Sequence, residues 1–219
     1  MTCSRVTLVL ATRNPGKCRE IREVLADAPV EIVSLDSFAP VAEPAEDGAT
    51  FAENARHKAL YYARATGQWC LADDSGLVVD ALGGAPGVHS ARYAADECPP
   101  ESRRDVIDAA NNAKLLRELA GVPDDKRTAR FVCHLAMADA REVLIEARGA
   151  IEGCIGHVAR GDNGFGYDPL FWVTDRGCTT AELPSDDKNR ISHRGQALRT
   201  FAHQLERLLA TRGDGARKT

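Results

Sequence analysis

Val6-Thr7-Leu8-Val9-Leu10-Ala11, followed at once by Thr12-Arg13-Asn14-Pro15-Gly16-Lys17, is the stretch on which the fold turns. Its first six residues form a short, nearly continuous apolar run, the pattern of a strand buried on both faces. The next six are rich in turn formers. From Lys17 to about Ala28, Cys18, Ile21 and Leu25 recur at helical spacing. A second apolar stretch, Val30 to Leu35, reads as another strand. A β-loop-α-β opening predicts a parallel α/β sheet.

Outward from there, Asp36 to Ala49 is acidic and contains proline, which reads as a loop. Thr50-Phe51-Ala52-Glu53 has the spacing of a capping box and predicts a helix running to Thr66 and ended by Gly67. Cys70-Leu71-Ala72 enters another strand, and Glu101 to Ala120 is a further helix. Ala129 to Met137 and Glu142 to Glu152 are long apolar stretches, and the short Asp139-Ala140-Arg141 link between them predicts an antiparallel pair. Arg194 to Leu209 reads as the last helix, and Gly213 to Thr219 as a frayed polar tail. No internal repeat and no long linker interrupts residues 1–212, which are expected to form a single domain.

Composition sets the outer bounds. The chain has 219 residues, 44% hydrophobic and 27% charged, which describes an ordinary globular protein. No apolar run is long enough to cross a bilayer and no signal peptide opens the chain, so no membrane partner is expected. A net charge of -4 argues against a general nucleic-acid binder. Any phosphate site must then be local. Seven cysteines (Cys3, Cys18, Cys70, Cys98, Cys133, Cys154, Cys178) show neither C-x-x-C pairs nor zinc spacing. They read as small buried hydrophobes in a reducing, cytoplasmic protein.

Four stations could carry chemistry. At Thr12 to Lys17, a helix start offers N–H donors and partial positive charge, Gly16 permits close backbone approach, and Lys17 supplies a full charge. The same residues equally make a plain strand-to-helix turn. At Asp73-Asp74-Ser75-Gly76, two carboxylates end a buried strand, where open α/β sheets place ligands. Neighbouring strand residues face opposite ways, so the two acids cannot share one role. One could hold a divalent metal and accept a proton from water; an Asp-Ser-Gly turn is the alternative. Asn163-Gly164-Phe165-Gly166-Tyr167-Asp168-Pro169 could bring an aromatic ring onto a base, or be a packed turn. Lys188-Asn189-Arg190-Ile191-Ser192-His193-Arg194-Gly195 could meet phosphate or base carbonyls, or be a solvated basic loop. The acidic residues Glu43, Glu46 and Asp47 could complete a magnesium site or lie in solvent.

Six strings in order carry a family resemblance: Ala11 to Lys17, Thr50 to Ala55, Ala72 to Leu77, Leu82 to Tyr93, Gly164 to Pro169 and Ser192 to Leu198. Together they resemble the inosine/xanthosine triphosphate pyrophosphatase family and span nearly the whole chain. The resemblance implies an α/β fold with an elongated, curved mixed sheet flanked by helices, two lobes and a central nucleotide cleft. It also implies a homodimer that needs Mg2+ and hydrolyses non-standard purine nucleoside triphosphates (ITP, dITP, XTP) to the monophosphate and pyrophosphate. Residue by residue, it implies that Thr12, Arg13, Asn14, Pro15, Gly16 and Lys17 hold the triphosphate, with Lys58. Asp74 becomes the proton acceptor and a metal ligand, and Glu46 the second ligand. Ser75 touches substrate, Phe165, Gly166, Tyr167 and Asp168 bound base and sugar, and Lys188, His193 and Arg194 read the base. The competing readings are a regulatory protein that binds a triphosphate without cleaving it, and a metal-dependent hydrolase of modified pyrimidine nucleotides.

Overall fold

The computed structural model describes residues 5–215. Seven strands stand in the order β2-β1-β3-β4-β5-β6-β7. They are β1 (Val6–Leu10), β2 (Val30–Ser34), β3 (Trp69–Val79), β4 (Thr128–Ala138), β5 (Val143–Ile155), β6 (Phe171–Val173) and β7 (Cys178–Thr179). The helices are α1 (Pro15–Val24), α2 (Phe51–Thr66), α3 (Arg104–Glu118), α4 (Ser185–Ile191) and α5 (His193–Gly215). β1 pairs in parallel with both β2 and β3, as the β-loop-α-β opening predicts. β5, β6 and β7 pair antiparallel, so the sheet is mixed. The β4–β5 link is a tight turn in which Asp139 Oδ1 accepts from the backbone of Arg141 and Glu142. Neighbouring strands joined that shortly must be antiparallel.

The described residues divide into two compact units: residues 5–74, 133–149 and 194–215, and residues 75–132 and 150–193. The first unit packs a core on each face of its strands. Leu8, Leu10, Trp69, Leu71 and Met137 meet Ile21 of α1 and Phe201 of α5 on one face. Val9, Cys70, Ala72 and Ala136 meet Ala55, Ala59 and Ala63 of α2 on the other. The alternation along β1 and β3 is the period-2 signature of a strand buried on both sides. In the second unit, Leu77, Val79, Phe131 and Phe171 close over Leu115 of α3 and Leu119 just beyond its end.

The helix ends follow local chemistry. Asn14 caps α1, so that helix begins at Pro15, two residues before the sequence places it. Thr50 and Glu53 form the reciprocal capping box of α2, and Gly67 closes it in the left-handed region. α5 continues to Gly215, past the Leu209 limit, and the tail beyond it lies outside the described residues. The six described cysteines are free thiols; Cys70 and Cys133 are buried and the others half-buried, while Cys3 lies outside the described residues.

β3 corrects the sequence reading most. It does not end at the acidic pair but runs five residues past Asp74. The Asp-Ser-Gly turn propensity yields there to pairing within the sheet. Likewise Lys188, Asn189 and Arg190 belong to α4, not to a solvated loop.

Candidate active site

The first unit gathers the loop after β1, part of β3 and one face of α2. In the loop, Thr12 Oγ1 accepts from Asn14 N at 3.2 Å. Asn14 Oδ1 accepts from Gly16 N (2.9 Å) and Lys17 N (3.2 Å), and Cys18 N donates to the Asn14 carbonyl at 3.0 Å. Pro15 has no N–H to offer. The amide donors that the sequence holds out for phosphate are therefore taken up by Asn14, and Lys17 remains the loop's charge. Arg13 turns away from the loop, donating to the Val41 carbonyl at 2.7 Å and pairing with Glu43 at 3.3 Å.

The two acids of β3 sit in different surroundings. Asp73 is 1% exposed and pairs with Lys17 Nζ at 2.6 Å and Arg194 Nε at 2.7 Å. Arg194 also pairs with Glu20 of α1, and the Cys133 thiol donates to Asp73 Oδ2 at 3.2 Å. Burial opposes ionisation of Asp73, but the Arg194 and Lys17 charges outweigh it and hold the carboxyl well below its ordinary range. Asp74, 5% exposed, accepts from Asn54 Nδ2 at 3.1 Å and pairs with Lys58 Nζ at 3.4 Å. Lys58 also pairs with Glu46. Here burial wins: it raises the Asp74 carboxyl and the Glu46 charge raises it further, against Lys58, Lys17 and Asn54. Lys58 is itself raised, since Asp74 and Glu46 together overcome the burial that works against its charge.

This arrangement suits an acid that binds a proton more readily than a free aspartate does. Among the described residues no group of three or more His, Cys, Asp or Glu is poised around a metal. Asp74 and Glu46 are nonetheless hard oxygen donors sharing one cation, Lys58. Magnesium takes one or two carboxylates and completes its shell with water and phosphate oxygens, so this donor set fits it.

Asn54 is a site residue that the sequence reading quotes within a motif but gives no role. It donates to Asp74 and accepts from Gly48 N at 2.9 Å. A Cβ on Gly48 would lie 2.6 Å from the Asn54 amide oxygen, so that loop position needs its glycine. The available signal was spacing: Asn54 and Lys58 stand four residues apart on α2 and therefore share a face. Glu20 and Cys133 gave no local signal.

The remaining candidates belong to the second unit. Ser75 is half-buried in β3. Asp168 Oδ2 accepts from Phe165 N (2.8 Å) and pairs with Lys188 Nζ (2.7 Å), and its Oδ1 accepts from Thr180 Oγ1 (2.9 Å). Gly164, at φ +79°, lets the Asp168 carboxylate lie where a Cβ would stand. Lys188 Nζ lies 5.1 Å from the Phe165 ring centre. Tyr167 is buried and donates to the Ser90 carbonyl at 2.9 Å. The His193 ring stacks on Phe131 with centres 4.8 Å apart and planes 16° apart.

Comparison with known proteins adds three findings. The model of the Ham1 family matches residues 8–204. The dITP/XTP pyrophosphatase of Syntrophobacter fumaroxidans is 51% identical across 92% of this chain and 83% of its own length. That of Geobacillus kaustophilus is 48% identical across 94% and 97%. Among solved structures, a HAM1 protein from Coxiella burnetii matches with a TM-score of 0.80 at 40% identity, over 92% of this chain and 99% of that one.

Proposed function

Because the chain belongs to the Ham1 family, we propose that it hydrolyses ITP, dITP and XTP to the nucleoside monophosphate and pyrophosphate, with Mg2+. The observation that carries this reading is Asp74, a buried carboxylate raised above its ordinary range and held between Asn54 and Lys58. The names of the relatives at about half identity support the substrate class.

In this reading water attacks the α-phosphorus and pyrophosphate departs. Asp74 orients the water and takes its proton, a role its raised pKa favours. Lys17 and Lys58 offset charge on the triphosphate. Phosphate oxygens reach the α1 terminus by competing with Asn14 for the Gly16 and Lys17 amides, at the positive end of the helix dipole. Asp74 and Glu46 would hold the magnesium ion, which would supply further charge stabilisation there.

Base selection falls to Lys188, His193 and Arg194, with the Phe165 to Asp168 turn bounding base and sugar and Ser75 touching substrate. Donors at these side chains suit the 6-oxo group of hypoxanthine and xanthine and oppose the 6-amino group of adenine. Arg194 carries a second duty. It pairs with Asp73, the neighbour of Asp74 in β3.

The homodimer and the cytoplasmic location belong to the same reading. The free thiols support a reducing compartment, and no described helix is long and apolar enough to cross a membrane. The deciding assay measures pyrophosphate release from ITP, XTP, dITP, ATP, GTP and dUTP with and without magnesium. Release from the first three, lost on chelation, supports the proposal. No release from any would leave a triphosphate-binding protein, and a dUTP preference would overturn the base assignment. Light scattering of the protein at assay concentration tests the dimer.

A further inference from the structure

Gly166 sits at the centre of the Phe165 to Asp168 turn with φ +63°, a conformation glycine enters and leaves with little cost. The rest of the turn is held from within the turn itself and by α4, Ser90 and Thr180. Asp168 fixes the Phe165 amide, Lys188 fixes Asp168, and the Tyr167 hydroxyl is anchored on the Ser90 carbonyl. Gly166 is held otherwise. Its N–H donates to Asp108 Oδ2 at 3.1 Å, and its carbonyl accepts from Asn112 Nδ2 at 2.9 Å. Those two groups lie in the two peptide planes flanking the glycine, so the pair restrains rotation on both sides of it.

Asp108 and Asn112 stand four residues apart and so present themselves from one face of α3. Asp108 is a half-buried carboxylate that also pairs with Arg104 Nε at 2.8 Å; burial raises its pKa, against the Arg104 charge and the Gly166 hydrogen bond. The Asn112 amide oxygen is buried with no hydrogen-bond partner among the described residues. Buried polar atoms without partners cost stability, and a chain that keeps one usually gains something else by it.

We propose that Asp108 and Asn112 are positioning residues that set base discrimination by fixing the peptide planes around Gly166. This rests on the reading that the Phe165 to Asp168 turn bounds the base. With both planes fixed, the Phe165 ring and the Asp168 carboxylate keep one spacing. Freed, the glycine relaxes and the turn accommodates bases it now rejects, because discrimination depends on groups that cannot move aside.

The experiment compares kcat/KM for ITP, XTP, GTP and ATP in the unaltered protein and in D108A, D108N, N112A and F165A. Inhibition by inorganic tripolyphosphate, which probes the phosphate end alone, is measured in each. D108A and N112A are expected to lower the ITP-to-GTP ratio about tenfold, with tripolyphosphate inhibition unchanged. D108N, which keeps an acceptor oxygen for the Gly166 amide, is expected to retain most of the ratio. An altered ratio in F165A with none in D108A or N112A would overturn the proposal and leave the base site intact. Parallel losses of the ratio and of tripolyphosphate inhibition would overturn it in favour of general disruption. No change in F165A would remove the base-site reading, and this inference with it.

Discussion

Asp73 and Asp74 are consecutive in β3, yet Asp73 pairs with Lys17 and Arg194 while Asp74 meets Asn54 and Lys58 of α2. Adjacent strand side chains point to opposite faces, and here the two surroundings shift the acids in opposite directions. Two cations hold the first acid ionised; burial and Glu46 make the second reluctant to ionise. Replacing each with Asn therefore has opposite consequences. For D74N we expect kcat to fall about a hundredfold or more, the scale of a lost general base. A raised folded pKa means that Asp74 supports the fold below the ordinary aspartate range and loses that support as pH rises through its folded value. At neutral pH, D74N is accordingly expected to resist urea at least as well as the unaltered chain. Near-normal turnover in D74N would remove Asp74 from the chemistry.

D73N is the reverse case. It leaves buried Arg194 and half-buried Lys17 facing a neutral amide; Arg194 keeps Glu20, so the loss should fall at or below the roughly 3–5 kcal/mol of a broken buried pair. Because the folded pKa is depressed, the contribution is complete above about pH 4, the unfolded value. It drains away as pH falls toward the lower folded value. Urea denaturation at pH 7 and again near pH 3 reads this out: the gap between D73N and the unaltered chain should be large at the first and narrower at the second. A constant gap would show that Asp73 contributes by shape rather than by charge.

If Asp74 is the proton acceptor, the acid limb of the rate profile is expected to report it. With its carboxyl raised, log kcat/KM for ITP is expected to fall with unit slope on acidification, centred above the value of about 4 typical of a free aspartate. Asn54 lowers that pKa through its hydrogen bond. N54A should therefore move the limb to higher pH and reduce kcat more than it changes KM. A limb that stays in place in N54A, with only KM altered, would make Asn54 a part of the scaffold alone.

Local chemistry explains what the sequence could say. The capping box of Thr50 and Glu53, the terminating Gly67 and the apolar run of β1 are each written within a few residues, and the structure carries all three. The Asp73–Arg194 pair joins residues 121 apart, with Glu20 brought in from a third segment. No local pattern encodes such a meeting. Turn propensity at Asp-Ser-Gly argued for a break that β3 does not make, because strand pairing outweighs a weak local preference. α4 was hidden for another reason. At seven residues it is too short for periodicity, although Asp186 and Asp187 in its first turn and Arg190 in its last were readable dipole signals.

Lys188 allows the second unit to be tested apart from the first. Its ammonium is buried, pairs with Asp168 at 2.7 Å and lies over the Phe165 ring. In K188M the Asp168 carboxylate keeps its bonds to the Phe165 amide and the Thr180 hydroxyl but loses its countercharge. Those two donors soften the loss, so destabilisation should fall at or below the roughly 3–5 kcal/mol of a broken buried pair. Adding D168N should recover part of it, since a neutral amide needs no cation, and the two changes should be non-additive because they share one contact. If Lys188 also meets the base, K188M raises KM for ITP while tripolyphosphate inhibition, set by Lys17 and Lys58, stays unchanged. Stability lost without any change in KM would confine Lys188 to supporting the turn.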